Sequence, residues 1–231
     1  MKKALNPRLT SAAEFVRQGA RFADVGTDHA YLPIFLLGEG RISYALCTDI
    51  NEGPLASAIA NAREAGLYEK MDFCLTDGAA ALADRGITDM AICGMGGDLI
   101  ASIVAAADYL RDENINLILQ PMTKQEALRE SLYQMGYEII AESYSRDAGK
   151  PYVCMQVRYC GESRELSEKE REICPENIKI VNKDLQINYL KKKITTYKKI
   201  VGGKKSGGND NPRELHLVEM IEEYLSRGEC L

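Results

Sequence analysis

Hydrophobic and polar positions follow two rhythms along the first two thirds of this chain. Short apolar runs end at a turn residue: Ala20 to Val25 at Gly26, Tyr44 to Thr48 at Asp49, Met71 to Thr76 at Asp77-Gly78, Met90 to Cys93 at Gly94, and Leu117 to Leu119 at Gln120-Pro121. Between them apolar residues recur every three or four positions, as in Leu55, Ile59 and Ala62 or Leu99, Ile103 and Ala106, which predicts amphipathic helices. Strands separated by single helices return through crossovers, so the pattern predicts an open α/β fold with a parallel sheet. Two further runs, Tyr137 to Ser143 and Tyr152 to Tyr159, flank a short polar turn containing Asp147, Ala148, Gly149 and Lys150. Such a turn predicts an antiparallel hairpin at the end of the sheet.

After about Gly161 the strand signals disappear. Ile187, Leu190, Ile194, Tyr197 and Val201 form a coiled-coil-like seam, Val201 to Pro212 has the composition of a flexible linker, and Leu217, Met220, Ile221, Tyr224 and Leu225 share one face of a second helix. The expected organisation is an α/β domain over residues 1–161 and a helical hairpin domain over residues 162–231.

Composition narrows the class. The 231 residues are 45% hydrophobic and 27% charged, as in a globular protein. The longest apolar run, Ala30 to Leu37, falls short of the ~20 residues that cross a bilayer. Asn6, Pro7 and Arg8 follow Lys2 and Lys3 before any apolar signal region develops, so the expectation is a cytoplasmic protein with no membrane partner. Seven cysteines without a C-x-x-C pair predict neither a metal site nor a disulfide framework, and read as small buried hydrophobes.

Charge is strongly segregated. The net charge is −5, yet Lys179 to Arg213 holds ten basic residues against two acids, a local +8 that leaves −13 elsewhere. This is the footprint of a phosphate-binding appendage on an acidic body, although the same lysines would also keep a solvated helix face soluble.

Ligands of open parallel sheets bind at the carboxyl ends of the strands. There the chain carries D24-V-G-T-D-H-A-Y-L-P33, T48-D-I-N51, T76-D-G78 and G94-M-G-G97. Gly26 permits a tight turn, and Pro33 places the start of a helix near Leu32, which predicts an extended loop from Gly26 to Tyr31. Asp28 would repel the pyrophosphate of a dinucleotide. Asp49, 23 residues after Gly26, lies near the offset at which a carboxylate accepts hydrogen bonds from a ribose. Asp77-Gly78 suits the exocyclic amine of an adenine. A single aspartate in such a place is equally a helix cap; three at successive strand ends mark a site. In Gly94-Met95-Gly96-Gly97 the glycines admit a close ligand and Met95 offers a soft apolar surface to a planar ring, the plainer reading being a glycine-rich turn.

Together, D-V-G-T-D-H-A-Y-L-P, D-I-N-E-G-P-L, C-G-M-G-G-D-L-I and L-I-L-Q-P resemble the bacterial tRNA (adenine-22-N1)-methyltransferase family. The resemblance covers roughly Leu5 to Tyr159 and extends to the tail in organisation. It implies a Rossmann-like, seven-stranded class I methyltransferase sheet, a C-terminal coiled-coil domain that helps to hold tRNA, S-adenosylmethionine as cofactor and no metal. The cofactor contacts expected are Asp24, Gly26, Thr27, Asp28, His29, Asp49, Asn51, Asp77, Gly78, Gly94 and Gly96. Two departures from methyltransferases at large stand out: Asp28 and Ala30 replace the later glycines of D-x-G-x-G-x-G, and G94-M-G-G97 stands where amino-group methyltransferases carry an N-P-P-Y-like motif. The second suits transfer to a ring nitrogen, which already has an in-plane lone pair.

Asp28, His29 and Met95 are the expected catalytic residues, with Asp28 facing the developing cation and His29 either a relay or a structural hydrogen-bonder. Met95 and Tyr31 are the expected surfaces for the extruded base. Arg8, Lys191, Lys192, Lys193, Lys198 and Lys199 are the expected RNA contacts. The competing readings are a methyltransferase acting on another RNA or a small molecule, a nucleotide-dependent oxidoreductase, for which the first loop lacks a third glycine and which does not predict the final hairpin, and a nucleotide-binding scaffold using the helical tail for protein contacts.

Overall fold

The computed structural model describes residues 5–204 and 212–228. The expected runs form β1 (Arg21–Val25), β2 (Tyr44–Asp49), β3 (Met71–Leu75), β4 (Asp89–Gly96), β5 (Asn116–Thr123), β6 (Tyr137–Asp147) and β7 (Lys150–Tyr159). Their spatial order is β3-β2-β1-β4-β5-β7-β6; β1 to β5 are parallel and β7 runs antiparallel between β5 and β6. The expected hairpin is therefore present. An eighth strand, β8 (Lys179–Val181), pairs parallel with β6 and extends the seven-stranded expectation. Three residues carry no readable period, and their pairing exists only once the β6 edge is in place.

Helices cover both faces. On one side lie α1 (Pro7–Phe15), α2 (Tyr31–Gly38) and α3 (Glu52–Glu64), which bury Leu36 and Ala58 against Phe22, Cys47 and Ile118. On the other, α4 (Gly97–Ala105) and α5 (Gln125–Gln134) bury Ile100 and Leu128 against Ala23, Met90 and Leu117. Phe22 and Ala23 face opposite ways because strand side chains alternate. Asn6 starts α1: its side chain accepts from the Leu9 amide at 2.8 Å, and Pro7 occupies a position where no amide is needed. In α4 the buried face is Ile100, Ile103 and Val104, so the expected seam was displaced by one residue and Leu99 and Ala106 are exposed.

Beyond β7 the chain returns to the sheet through α6 (Glu168–Glu172), β8, α7 (Lys183–Lys204) and α8 (Pro212–Ser226). Leu190 and Ile194 on α7 share one apolar cluster with Val218, Ile221 and Tyr224 on α8, and the two helices pack together. Tyr189, Leu190, Ile221 and Tyr224 join the same core as Met90 and Leu117, so the tail's apolar contacts are continuous with those of the sheet. Val201–Lys204 form the end of α7 rather than linker, the helix running through Gly202 and Gly203 in spite of their low helix propensity; the rest of the predicted linker, 205–211, lies outside the described residues.

A buried ionic junction ties tail to body. Arg129 donates to Glu142 at 2.7 and 3.1 Å and to the Arg171 carbonyl at 2.8 Å, while the Tyr144 hydroxyl donates to Glu142 at 2.5 Å. All three side chains are inaccessible to solvent. Cys47 and Cys154 are buried, which pushes both thiols up, whereas Cys160, just past β7, is exposed and departs from the reading of the cysteines as core; Cys230 lies outside the described residues. Among the described residues no helix is long and apolar enough to cross a membrane, and no group of three His, Cys, Asp or Glu side chains could hold a metal ion.

Candidate active site at the carboxyl rim

The first loop is tighter than expected. Gly26 and Thr27 both donate to the Thr48 carbonyl at 2.8 Å, so the end of β1 folds onto the end of β2. Gly26, Asp28 and Ala30 all have positive φ, at 73°, 49° and 54°, and α2 starts at Tyr31. The loop thus keeps the alternating left-handed backbone of a glycine loop with two non-glycine residues in it. Each such residue costs about 1–2 kcal/mol, strain that the surrounding hydrogen bonds hold in place.

The rim carboxylates differ in surroundings. Asp24 is buried and accepts from the Thr27 hydroxyl at 2.7 Å; burial pushes its pKa up to about 6, Thr27 opposes this and Asp49 adds to it. Asp49 is also buried, and one oxygen accepts from the Asn51 amide at 2.9 Å, an arrangement that leads into α3. Asn51 is the residue before that helix and is exposed. Asp77 and Gly78 follow β3, Asp77 exposed and Gly78 in the left-handed region. The Asp28 carboxylate is 68% exposed, 3.7 Å from His29 Nε2. His29 stacks on Tyr31, and its carbonyl accepts from Asn61 on α3 at 2.9 Å.

Gly94-Met95-Gly96-Gly97 is not a separate turn. β4 continues through it with two register shifts against β5, and Gly97 opens α4 directly. Such a bulge re-aims one side chain. Here Met95 reaches across to β1, where a Cβ on Gly26 would lie 2.2 Å from its methyl carbon. The φ of 73° favours glycine at 26, and the absent Cβ leaves room for the Met95 methyl. Gly97 is similarly enclosed, a Cβ there falling 2.3 Å from the Lys124 carbonyl oxygen. Near this contact four large apolar side chains stay exposed, Ile50, Leu75 and Met122 at strand ends and Leu99 in the first turn of α4. None of the four was expected at the site: Ile50 and Leu99 lay inside motifs without a binding role, Leu99 being expected on a helix seam.

Arg8 belongs to this rim and not to the lysine surface. Its Nη1 donates at 2.7 Å to Oε1 of Gln120, a buried residue expected to end the strand at a turn but lying inside β5, which continues through Gln120 and Pro121 to Thr123. The expected RNA lysines also separate. Lys193 is mostly buried and pairs with Glu172 at 2.5 Å; burial lowers its pKa and Glu172 pulls the other way, which removes it from any RNA surface. Lys198 pairs with Glu222 at 2.7 Å on the surface, while Lys191, Lys192 and Lys199 are exposed. Lys191 and Lys192 line a groove of about 320 Å³ with Arg146, Asn188 and Thr195. Because β6 is parallel to β5 through β7, Arg146 near its end lies on the same rim as the Gly26–Met95 contact. At about 4.8 Å per strand, the three steps from β4 to β6 span about 14 Å.

A family model described as a methyltransferase domain matches residues 5–155. The tRNA (adenine(22)-N(1))-methyltransferase of Bacillus subtilis is 35% identical over 148 residues, 64% of this chain and 62% of that protein, so the matched part spans less than two thirds of that relative. A proposed tRNA methyltransferase of Streptococcus pneumoniae superposes with a TM-score of 0.82 at 31% identity, covering 96% of this chain and 100% of the other; it has also been solved in complex with S-adenosyl-L-methionine. TrmK from M. capricolum, solved with the cofactor product S-adenosyl-homocysteine, superposes with a TM-score of 0.78 at 28% identity over 97% and 99% of the two chains.

Proposed function

The chain belongs to the methyltransferase-domain family and, within it, to the bacterial tRNA (adenine-22-N1)-methyltransferases, and on that premise we propose that it transfers a methyl group from S-adenosylmethionine to N1 of adenine 22 in the D arm of tRNA. The observation that carries this reading is the rim where β1, β2 and β4 end together, with Met95 packed on Gly26 and buried Asp49 beside them at the ribose offset. The residues present fit the cofactor. Asp49 keeps a carboxylate oxygen for the ribose hydroxyls, and Asp77 offers an acceptor to the adenine amine. Ile50 and Leu75 are apolar covers for its ring. Thr48 Oγ1, buried without a hydrogen-bond partner among the described residues, leaves a polar atom beside the same loop.

S-adenosylmethionine, when bound, supplies an electrophilic methyl on a sulfonium. The chain's part is to hold the target base in line with that methyl and keep water out, which is where the rate advantage of such transfers arises. Met95, Leu99 and Met122 provide the apolar surfaces for a base drawn out of its stack. N1 attacks through its in-plane lone pair, the carbon–nitrogen bond forms as the sulfur–carbon pair returns to sulfur, and the ring becomes cationic. Asp28, exposed at the mouth, stabilises that charge or accepts the N6 proton. His29, stacked and tied through its backbone, orients the loop.

Residues 5–161 thus hold the donor, while the tail contributes phosphate contacts through Lys191, Lys192 and Lys199, joined by Arg146 in the groove on the same rim. Such a reaction takes place where tRNA is processed, in the cytoplasm. Mass mapping of tRNA incubated with the protein and S-adenosylmethionine tests the reading: it expects one N1-methyladenine in the D arm, and methylation elsewhere or none overturns it. Replacing Arg146, Lys191 and Lys192 together by Glu should weaken tRNA binding and flatten its salt dependence, with S-adenosylhomocysteine binding unchanged.

A further inference from the structure

We infer that Arg8 is a donor-binding residue: its guanidinium takes the carboxylate at the amino-acid end of S-adenosylmethionine, an assignment that rests on the methyl-donor reading above. α1 packs across β4 to β7 and delivers Arg8 to the rim between the ends of β4 and β5. There Gln120 fixes it. The buried Oε1 of Gln120 accepts from Arg8 at 2.7 Å and from the Gly94 amide at 3.2 Å, while Nε2 donates to the Pro121 carbonyl at 2.9 Å. A flipped amide would lose all three contacts, so its orientation is set by the network.

The partner of the guanidinium is therefore a neutral amide, and among the described residues no carboxylate lies within ion-pair distance of it in this half-buried place. An anion is the group that this site lacks. Gly94 makes the approach possible: its φ is 83°, and a Cβ there would lie 3.3 Å from Arg8 Nη1. Gly94 adjoins Met95, whose methyl rests on Gly26. Along the strand ends the order is then Asp77 and Asp49, the Gly26–Met95 contact, and Arg8. The donor has the same order of chemistry: adenine amine and ribose hydroxyls, sulfonium, carboxylate. A planar guanidinium matches that carboxylate with two parallel hydrogen bonds. RNA phosphates have a separate cationic groove at Arg146, Lys191 and Lys192, about 14 Å along the rim.

Calorimetry with two ligands tests the assignment. S-adenosylhomocysteine carries the carboxylate and 5′-methylthioadenosine does not. Arg8→Gln should weaken the first by about 10- to 100-fold, the range of a hydrogen-bonded charge contact, and leave the second within about twofold, which also reports an intact adenosine site. Arg8→Lys should recover part of the loss. Equal weakening of both ligands would overturn the assignment and make Arg8 a prop for the Gly94 bulge. Unchanged S-adenosylhomocysteine affinity with weakened tRNA binding would overturn it in favour of an RNA contact. If the wild-type protein binds neither adenosyl ligand, the methyl-donor reading itself fails.

Discussion

The carboxyl rim and the junction between sheet and tail both place charged groups out of water, and they treat them in opposite ways. At the junction Arg129, Glu142 and Tyr144 satisfy one another in a closed network, and Lys193 is matched by Glu172. At the rim, Asp24 is buried beside Asp49, Arg8 faces a neutral amide, Asp28 and Ala30 hold left-handed backbone, and Ile50, Leu75, Leu99 and Met122 face solvent. Saturated interactions of the first kind serve cohesion. Unsaturated ones of the second kind are stable only because the scaffold around them over-determines the geometry, and they are completed by a ligand.

The contrast can be broken most severely at the junction. Arg129→Met leaves the Glu142 carboxylate buried without its counter-charge, and urea denaturation should show a loss of about 3–5 kcal/mol, most of it recovered when Glu142 is also replaced by Leu. At the rim the expected effect is on binding. The Asp24 carboxylate, raised to about 6, is charged above that pH and neutral below it. The amino-acid end of S-adenosylhomocysteine carries an ammonium, so binding should favour the ionised form and weaken about tenfold per unit as pH falls below 6; Asp24→Asn should flatten the profile in calorimetric titrations. The smallest effect belongs to the strained loop. Ala30→Gly removes a Cβ from a residue with φ of 54° and should raise stability by up to about 1 kcal/mol in thermal unfolding.

The same division explains what could be read from the residues alone. The strands, the hairpin and the aspartates at strand ends are written in local periodicity and turn chemistry, so they were legible. β8 was not, since three residues acquire their structure from the β6 edge. The depth of Lys193 was hidden because a lysine in a basic run looks like its neighbours until Glu172 is folded against it. Asp28 and Ala30 suggested a departure from a glycine loop, yet the hydrogen bonds from Gly26 and Thr27 to Thr48 impose its backbone on them. Arg8 and Gln120 lie 112 positions apart, and only the crossing of α1 over the sheet brings them together.

The central claim is that the strand ends from β3 to β5 form one extended site for a sulfonium donor. A crystal structure of the protein grown with S-adenosylhomocysteine tests it most directly. The account predicts the ribose hydroxyls on Asp49, the sulfur near the Gly26–Met95 contact and the carboxylate on Arg8. The ligand absent from these strand ends, or lying in the reverse direction, would contradict it.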